Sequence, residues 1–171
     1  MGLGTMAMDV AALVAPLTEE SPSGPDLSYD SERLNIEPAF ERSVSGEDEA
    51  AQEADWNATI GSITNQANQT RDIWLPVYLM RAAAHAGKLE TLIDGAELLA
   101  RLMEERWADV HPQLDEVGFT GRKTPCESLT RVGEFLNPLQ AVPLVEHKRL
   151  GRYAGEDFIR FQDEGSGADG Y

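Results

Sequence analysis

The amino-acid sequence predicts an all-α fold, a compact bundle of about five or six helices. Apolar residues recur at helical spacing in several consecutive segments, whereas alternating β-branched runs, which would indicate strands, do not recur. No repeat with a period of roughly 20 to 50 residues occurs either, which argues against a solenoid. We expect a flexible start over residues 1–8, a helical domain over residues 9–145, and a C-terminal extension or the start of a linker over residues 146–171.

The composition indicates a soluble globular protein with one core. The chain has 171 residues, of which 42% are hydrophobic, and this is enough to close a core in water. No segment has the ~20 apolar residues of a membrane span, and the first residues lack the charged and apolar regions of a secretory signal. The single cysteine, Cys126, agrees with a reducing compartment. We therefore expect a cytoplasmic protein that does not insert into membranes.

The first predicted helix is short and is followed by a turn. Asp9 is suited to cap this helix, and Pro16 should end or distort it. Its apolar stripe consists of Val10, Leu13, Val14 and Leu17. Residues 21–26 (SPSGPD) are rich in turn-forming residues, because proline restricts φ and glycine permits positive φ. We expect an ordered turn there.

A second helix is predicted from Ser31 to Arg42, although Pro38 interrupts its pattern. Its apolar residues are Leu34, Ile36 and Phe40. The next segment, Ser43 to Ala54, is acidic and almost without large apolar side chains, so it cannot offset the entropy that ordering would cost. We expect a mobile acidic loop that contains Glu47, Asp48 and Glu49.

Two helices with stronger signals follow. The first begins after Asp55, which is placed as its N-cap, and its apolar stripe consists of Trp56, Ile60, Ile63 and Ala67. The second begins near Thr70 or Asp72, accommodates Pro76 in or near its first turn, and ends at Gly87. The short connection between them predicts antiparallel neighbours.

The remaining helices are predicted from about Leu89 to Trp107 and from Thr124 to about Leu136. Gly95 in the first of them is either a mild flaw or a point of close contact. The second has a capping-box pattern at its start, since Thr124 can serve as N-cap, Pro125 as the first helical residue and Glu127 as the third. The His111-Pro112 and Asn137-Pro138 pairs should end these two helical segments, because the residue before a proline is disfavoured in a helix.

The residues that could support catalysis do not form a recognised motif. The histidines are His85, His111 and His147. They lie far apart and outside motifs such as HExxH, so structural roles are favoured. Cys126 near a helix N-terminus could have a lowered pKa, although Glu127 beside it acts in the opposite sense. The alternative hypothesis is an enzyme with a site assembled from His111, Asp115 and Glu127.

Charge argues against nucleic acid as a partner. The net charge is −16, whereas a protein that binds a phosphate backbone carries clustered Lys and Arg. The segment from Thr18 to Asp55 contains twelve acids and two bases and so contributes −10. Its acidic pairs lack the spacing of a calcium loop, and we expect neither a metal nor a cofactor. We interpret these carboxylates as solvated charges that attract basic surfaces of a partner protein.

The three tryptophans are candidates for the core or for an interface. Trp56 and Trp107 lie on the apolar stripes of their helices, so the core is favoured for both. Trp74 lies at a helix start beside Arg71 and Asp72, where partial exposure is expected. It is the candidate anchor of a protein interface, because large aromatic side chains contribute a large share of binding energy.

Three segments of the sequence resemble one family. Residues 16–30 (PLTEESPSGPDLSYD) are similar to the opening S-P-x-G-x-D-L-x-Y-D signature of the N-terminal domain of TssA (ImpA) proteins of type VI secretion systems. Residues 55–56 (DW) and 70–82 (TRDIWLPVYLMRA) resemble that family's D-W pair and T-R-D helix, and residues 107–115 (WADVHPQLD) resemble its W-x-x-V-H-P-x-L-D motif. The resemblance extends from about Val10 to Leu144. Departures are Ser23, where the family often has cysteine, and Pro76 in a helix that is usually free of proline.

The resemblance implies a non-enzymatic assembly component that works through protein contacts. Its expected partners are other secretion proteins of the baseplate, tube or sheath, with self-association also possible, and a generic helical adaptor outside secretion is the competing hypothesis. We expect the motif residues to be mostly structural. They are Pro22, Gly24, Asp26, Tyr29, Trp56, Arg71, Asp72, Trp107, His111 and Pro112. The sequence is expected to be either a fragment of a longer protein or an unusually short family member.

Overall fold

The longest apolar segments of the sequence form helices at the centre of the fold. A computed structural model describes residues 8–45 and 55–164, and these are mostly helical. The elements in chain order are α1 (Val10–Val14), α2 (Ser31–Ser45), α3 (Trp56–Ala67), α4 (Trp74–Ala86), α5 (Leu89–Glu105), α6 (Leu114–Glu127), a 3-10 turn (Ser128–Thr130), a π-helical turn (Val132–Leu136), α7 (Asn137–Gln140), β1 (Pro143–His147), β2 (Gly151–Ala154) and α8 (Gly155–Glu164). The predicted acidic loop lies largely outside the described residues.

Helix α4 lies between α3 and α5. Its sequence, WLPVYLMRAAAHA, is apolar on all sides, and every residue from Leu75 to Ala84 is buried. Pro76 lies in the first turn, as predicted, where a missing N–H removes no intrahelical bond. Gly87 ends the helix with a φ of 66°, also as predicted.

The interior consists of two hydrophobic clusters, and α4 contributes to both. Tyr78 and Leu79 belong to the larger cluster, whereas Val77 and Met80 belong to the smaller one. The larger cluster contains side chains from α1, α2, α3 and α5, and the smaller one contains Phe135 and Val142. Leu99 packs against both clusters, so they adjoin. Two clusters form because a helix that is apolar on all sides has to be covered on more than one face.

Gly95 is a point of close contact between α4 and α5. A Cβ atom at this position would lie 2.9 Å from Met80 Cγ and 3.3 Å from the Pro76 carbonyl oxygen. The two helices approach closely because no side chain separates them here. Of the two interpretations of Gly95, the structure supports close contact.

The helix starts at Asp9 and Asp55 are confirmed. The Asp9 carboxylate accepts a hydrogen bond from Ala12 N, and the Asp55 carboxylate accepts one from Ala58 N. Helix α2 continues past Pro38 to Ser45, and of its predicted apolar residues Leu34 is exposed. α5 ends two residues before Trp107, and this tryptophan is half-buried, like Trp56.

The predicted helix start at Thr124 is wrong. α6 begins ten residues earlier at Leu114, and Pro125 lies inside it. The Thr124 hydroxyl donates to the Thr120 carbonyl oxygen at 2.9 Å, so it bonds within the helix and caps no new one. The helix is instead interrupted at Gly118, whose φ of 64° breaks the helical path. The local capping pattern is overridden because the preceding residues are already helical.

The predicted helix to Leu136 is also wrong. The predicted all-α class is confirmed in part, since the described residues are mostly helical but include a small two-stranded sheet. After Glu127 the chain forms short 3-10 and π-helical turns separated by Arg131, whose backbone is extended, so the helical segments exceed the five or six expected. β1 and β2 then form an antiparallel hairpin in which Val145 faces Tyr153 and Glu146 faces Arg152. This hairpin spans the predicted end of the helical domain at residue 145.

Candidate functional site

The motif residues of three distant segments meet at one place in the fold. We call this place the motif junction and define it as residues 22–26, 70–72 and 107–112. Its centre is a short parallel bridge between Asp72 and His111. His111 N donates to the Arg71 carbonyl oxygen at 2.9 Å, and Ile73 N donates to the His111 carbonyl oxygen at 3.0 Å. The chain segments before α4 and before α6 are thus joined as in a sheet.

The turn at residues 22–26 is bonded to both of the other segments. The Ser23 carbonyl oxygen accepts from Arg71 N at 2.8 Å and from the Thr70 hydroxyl at 3.1 Å. The Ser23 hydroxyl donates to the Asp109 carboxylate at 2.6 Å. Ser23 is buried, so these bonds satisfy polar groups that water cannot reach.

Gly24 is required by its conformation and by its surroundings. Its φ is 69°, and an added Cβ would lie 2.5 Å from the Gln69 carbonyl oxygen and 2.6 Å from Leu17 Cδ1. The Gly24 carbonyl oxygen lies 2.9 Å from His111 Nε2. With the Nε2–H tautomer, His111 donates this bond, and its buried ring is therefore used to hold the turn.

Arg71 directs its guanidinium group at backbone carbonyl oxygens. Nε donates to Ala15 O at 2.8 Å, Nη1 to Ala67 O at 2.7 Å, and Nη2 to Ala12 O at 3.1 Å. These oxygens lie at the C-terminal ends of α1 and α3, where a positive charge is favourable. Burial lowers the pKa of Arg71, with a further contribution from Arg106. Arg71 thus joins two helix ends to the junction.

Asp72 forms a buried ion pair with Arg33 of α2. The two side chains are 1% and 5% exposed, and Arg33 Nη2 donates to Asp72 Oδ2 at 2.8 Å. The other Asp72 oxygen accepts from Trp74 N at 2.8 Å, at the start of α4. Arg33 Nε also donates to Gln66 Oε1 at 2.9 Å. Both charges are therefore compensated inside the fold.

Arg122 of α6 completes the junction, and no motif indicated it. Its fully buried guanidinium donates to the carbonyl oxygens of Val110 at 2.8 Å and Pro112 at 2.9 Å, and also to that of Trp107. It lies 4.5 Å from the centre of the Trp107 ring, a cation–π contact. Only the contacts reveal this role, since an arginine on a helix is usually exposed.

The other motif residues lie outside these contacts or at their edge. The Pro22 carbonyl oxygen accepts from Leu17 N at 2.9 Å. Asp26 is exposed and accepts from Ser28 N at 2.8 Å, which shapes the turn locally. Tyr29 is 90% exposed. Trp56 belongs to a second cluster.

That second cluster is centred on Arg81, which is fully buried on α4. Arg81 forms ion pairs with Glu37 and Glu134, and its guanidinium lies 4.0 Å from the centre of the Phe40 ring. Arg131 bonds to both carboxylates from the exposed side, at 3.1 and 2.9 Å. Two arginines and two carboxylates thus form a compensated network between α2, α4 and the π-helical turn.

Aromatic rings surround this network. The His85 ring stacks on Trp56 with 4.3 Å between ring centres, and its Nε2 lies 3.0 Å from the Glu134 carbonyl oxygen. Burial lowers the pKa of His85, which the carbonyl contact only partly opposes. Burial, together with the nearby Glu37 charge, raises the pKa of Tyr78. Both shifts favour the neutral form of the group.

The residues of the hypothetical enzyme site are not brought together. His111 is buried in the motif junction, whereas Asp115 and Glu127 are exposed near opposite ends of α6. Glu127 pairs with Lys123 at 2.7 Å. Cys126 does not lie at a helix start, and burial raises the pKa of its thiol, contrary to the activated thiolate considered above.

The candidate interaction residues differ in what the structure shows. Trp74 is half-buried, and its ring stacks on Tyr78 with 5.2 Å between centres. Glu47, Asp48 and Glu49 lie outside the described residues. Across residues 8–45 and 55–164, no group of three or more His, Cys, Asp or Glu side chains is arranged to hold a metal ion. None of the helices in these ranges is long and apolar enough to cross a membrane.

Comparison with known proteins gives one consistent result. Residues 14–131 match the family model described as ImpA, N-terminal, type VI secretion system. The chain is 27% identical over 150 residues to the type VI secretion system component TssA1 of Pseudomonas aeruginosa, covering 84% of this chain and 44% of that protein. It is also similar to a solved structure, the N-terminal domain including the conserved ImpA_N region of the TssA component of the type VI secretion system from Burkholderia cenocepacia. The TM-score is 0.68 and the sequence identity is 27%, and the match covers 91% of this chain and 58% of the other. The chain thus spans less than half of TssA1.

Proposed function

Because this chain belongs to the family of ImpA N-terminal domains of type VI secretion systems, we propose that it is a non-enzymatic assembly component. It docks through protein contacts to other proteins of the secretion machine, those of the baseplate, tube or sheath. Its expected location is the cytoplasm, where such assembly takes place. The chain matches only part of its relatives' length, so the proposal concerns what this domain contributes.

The use of the motif residues inside the fold supports this proposal most. The chemically versatile groups of Arg71, Asp72 and His111 bond to backbone groups or to a buried partner. A catalytic group needs access to a substrate, whereas these groups hold helices and turns in fixed positions. A rigid scaffold that presents its exterior to other proteins is the role that fits them.

Two features provide candidate contacts. The acidic segment, which contributes −10 between Thr18 and Asp55, attracts basic surfaces over about 8 Å at physiological salt. Trp74, half-buried at the start of α4, can bury its remaining surface in a partner. We propose that the acidic segment accelerates association and that Trp74 slows dissociation.

The test is to measure binding of the purified chain to purified baseplate, tube and sheath proteins of the same secretion system by biolayer interferometry. We expect binding to at least one of them. Absence of binding to all three classes would contradict the proposal, and the generic adaptor hypothesis would then be favoured.

The acidic segment is tested with a charge-neutral triple variant, Glu47→Gln, Asp48→Asn and Glu49→Gln. The association rate should fall several-fold at low salt and differ little from wild type at about 0.5 M salt, because exposed charges are then screened. The control variant changes net charge equally but elsewhere, with Glu90→Gln, Glu104→Gln and Glu116→Gln on exposed helix positions. Equal slowing by both variants would show that net charge matters and the position of the segment does not.

A further inference from the structure

The hairpin and α8 present apolar side chains to solvent. Val145 is 50% exposed, Phe158 54% and Phe161 43%. Together with Tyr153 and Asp157 these residues line an open cavity of about 280 Å³. We call Val145, Tyr153, Phe158 and Phe161 the C-terminal apolar face.

None of the residues of α8, all of which the structure describes, is buried. Its start is held by the Asp157 carboxylate, which accepts from Ala154 N at 2.8 Å. Short helices and two-stranded hairpins are marginal in water unless an apolar face is covered. A cover over this face would therefore stabilise both elements.

Charges of opposite sign flank the C-terminal apolar face. The hairpin turn carries the exposed bases Lys148 and Arg149, although the whole chain has a net charge of −16. The start of α8, at the other end of β2, carries Glu156 and Asp157. The Val145–Tyr153 pair lies between these two ends, and β2 separates them by roughly 10 to 15 Å at the usual rise per residue.

A surface with this arrangement is complementary to itself under a two-fold rotation. The rotation places the basic turn of one copy against the acidic helix start of the other, and it places the apolar middle against itself. We propose that the C-terminal apolar face is the interface of a homodimer. This inference does not depend on the proposed secretion function, since it rests only on this surface.

The size of the face predicts weak association. Each half-exposed aromatic residue adds roughly 100 Å² of apolar surface, so the face with its neighbours Leu150 and Ile159, which are also exposed, offers roughly 400 to 500 Å² per copy. Stable dimers bury about 800 Å² per partner. We therefore expect a monomer–dimer equilibrium with a dissociation constant of roughly 1 to 100 µM.

The experiment is analytical ultracentrifugation of the full chain over a concentration range that brackets this value. The wild type should dimerise. Phe158→Ser should weaken dimerisation at least tenfold, whereas Leu34→Ser, at an equally exposed apolar residue on α2, should leave it unchanged. Circular dichroism of each variant verifies that the fold is retained.

A charge exchange tests the two-fold geometry. The double variant Lys148→Glu, Arg149→Glu should be weakened at least tenfold alone, because its acidic turn then meets the acidic helix start. The single variant Glu156→Lys should be weakened several-fold, because the helix start, which keeps Asp157, then has no net charge to attract the basic turn. Their mixture should form a heterodimer that is tighter than either variant's homodimer. One of its contacts pairs the unchanged basic turn with the unchanged acidic helix start, and the other no longer brings like charges together.

Three results would overturn the inference. The first is a wild type that stays monomeric throughout the range. The second is a dimer that is insensitive to Phe158→Ser, which would place the interface elsewhere. The third is a wild type that is monomeric and binds a purified secretion protein, while Phe158→Ser does not bind it. The C-terminal apolar face would then belong to that partner.

Discussion

Replacing Gly24 by alanine tests whether the motif junction holds the fold together. Gly24 has a φ of 69°, and an alanine in this left-handed region costs about 1 to 2 kcal/mol. The added Cβ would lie 2.5 Å from the Gln69 carbonyl oxygen and 2.6 Å from Leu17 Cδ1. One of these contacts is backbone, so the turn itself has to move.

Movement of the turn breaks its hydrogen bonds. The Gly24 carbonyl oxygen accepts from His111, and the Ser23 carbonyl oxygen accepts from Arg71 and Thr70. Loss of two of these three bonds costs about 2 kcal/mol at the usual net value of each. Together with the backbone strain, Gly24→Ala should lower the free energy of unfolding by about 3 to 4 kcal/mol.

The matched control is Gly61→Ala. Gly61 lies inside α3, and nothing lies within 4 Å of the position where its Cβ would be. This variant should be more stable than wild type by about 0.5 to 1 kcal/mol, because alanine loses less conformational entropy in a helix.

Urea unfolding followed by tryptophan fluorescence measures both variants. A Gly24→Ala variant whose free energy of unfolding lies within about 1 kcal/mol of wild type would refute the prediction, since the strain alone should cost at least that much.

Three further predictions concern other parts of the fold. Asp72→Asn should lower the free energy of unfolding by about 3 to 5 kcal/mol, because it leaves Arg33 charged and buried without its partner. Adding Arg33→Met should restore part of this loss in urea unfolding. A double variant no more stable than Asp72→Asn alone would show that the unpaired Arg33 charge does not cause the loss. Burial lowers the pKa of His85 in the folded chain below its ordinary value of 6.5. The unfolded chain therefore binds a proton at His85 more readily than the folded chain does, and the free energy of unfolding decreases as the pH falls below that value. His85→Gln should therefore show a smaller decrease in unfolding free energy between pH 7.5 and 5.5 than wild type, and equal decreases would assign the pH dependence to other groups. Trp74→Ala should speed dissociation from the secretion partner about tenfold with little change in association, and an unchanged dissociation rate in a folded variant would exclude Trp74 as an anchor.

The features that follow from neighbouring residues could be predicted from the sequence. Asp9 and Asp55 cap helices because a carboxylate reaches the amide three residues ahead. Gly87 ends α4 because glycine accepts a positive φ at a helix end. These interactions span one helical turn, so the residues that make them stand next to each other in the printed sequence.

Predictions from a few neighbouring residues were wrong where those residues belong to a longer structural element. Thr124 has the right neighbours for a helix start, but the chain is already helical from Leu114, with one interruption at Gly118. The hairpin was missed for a related reason, since its strands have five and four residues and lack a clear apolar alternation. Short strands are stabilised by their pairing, and pairing is not visible in either strand alone.

The sequence by itself determined the family, the helical periodicity and the helix ends at Asp9, Asp55 and Gly87, because each of these is encoded in contiguous residues. Only the tertiary structure showed that Ser23 meets Asp109, that Arg122 holds the carbonyl oxygens before α6, and that Arg81 lies buried between two carboxylates. Ser23 and Asp109 are 86 positions apart. Such contacts form because buried polar groups have to find partners once water is excluded, and which partner lies within reach depends on the packing of every helix between them.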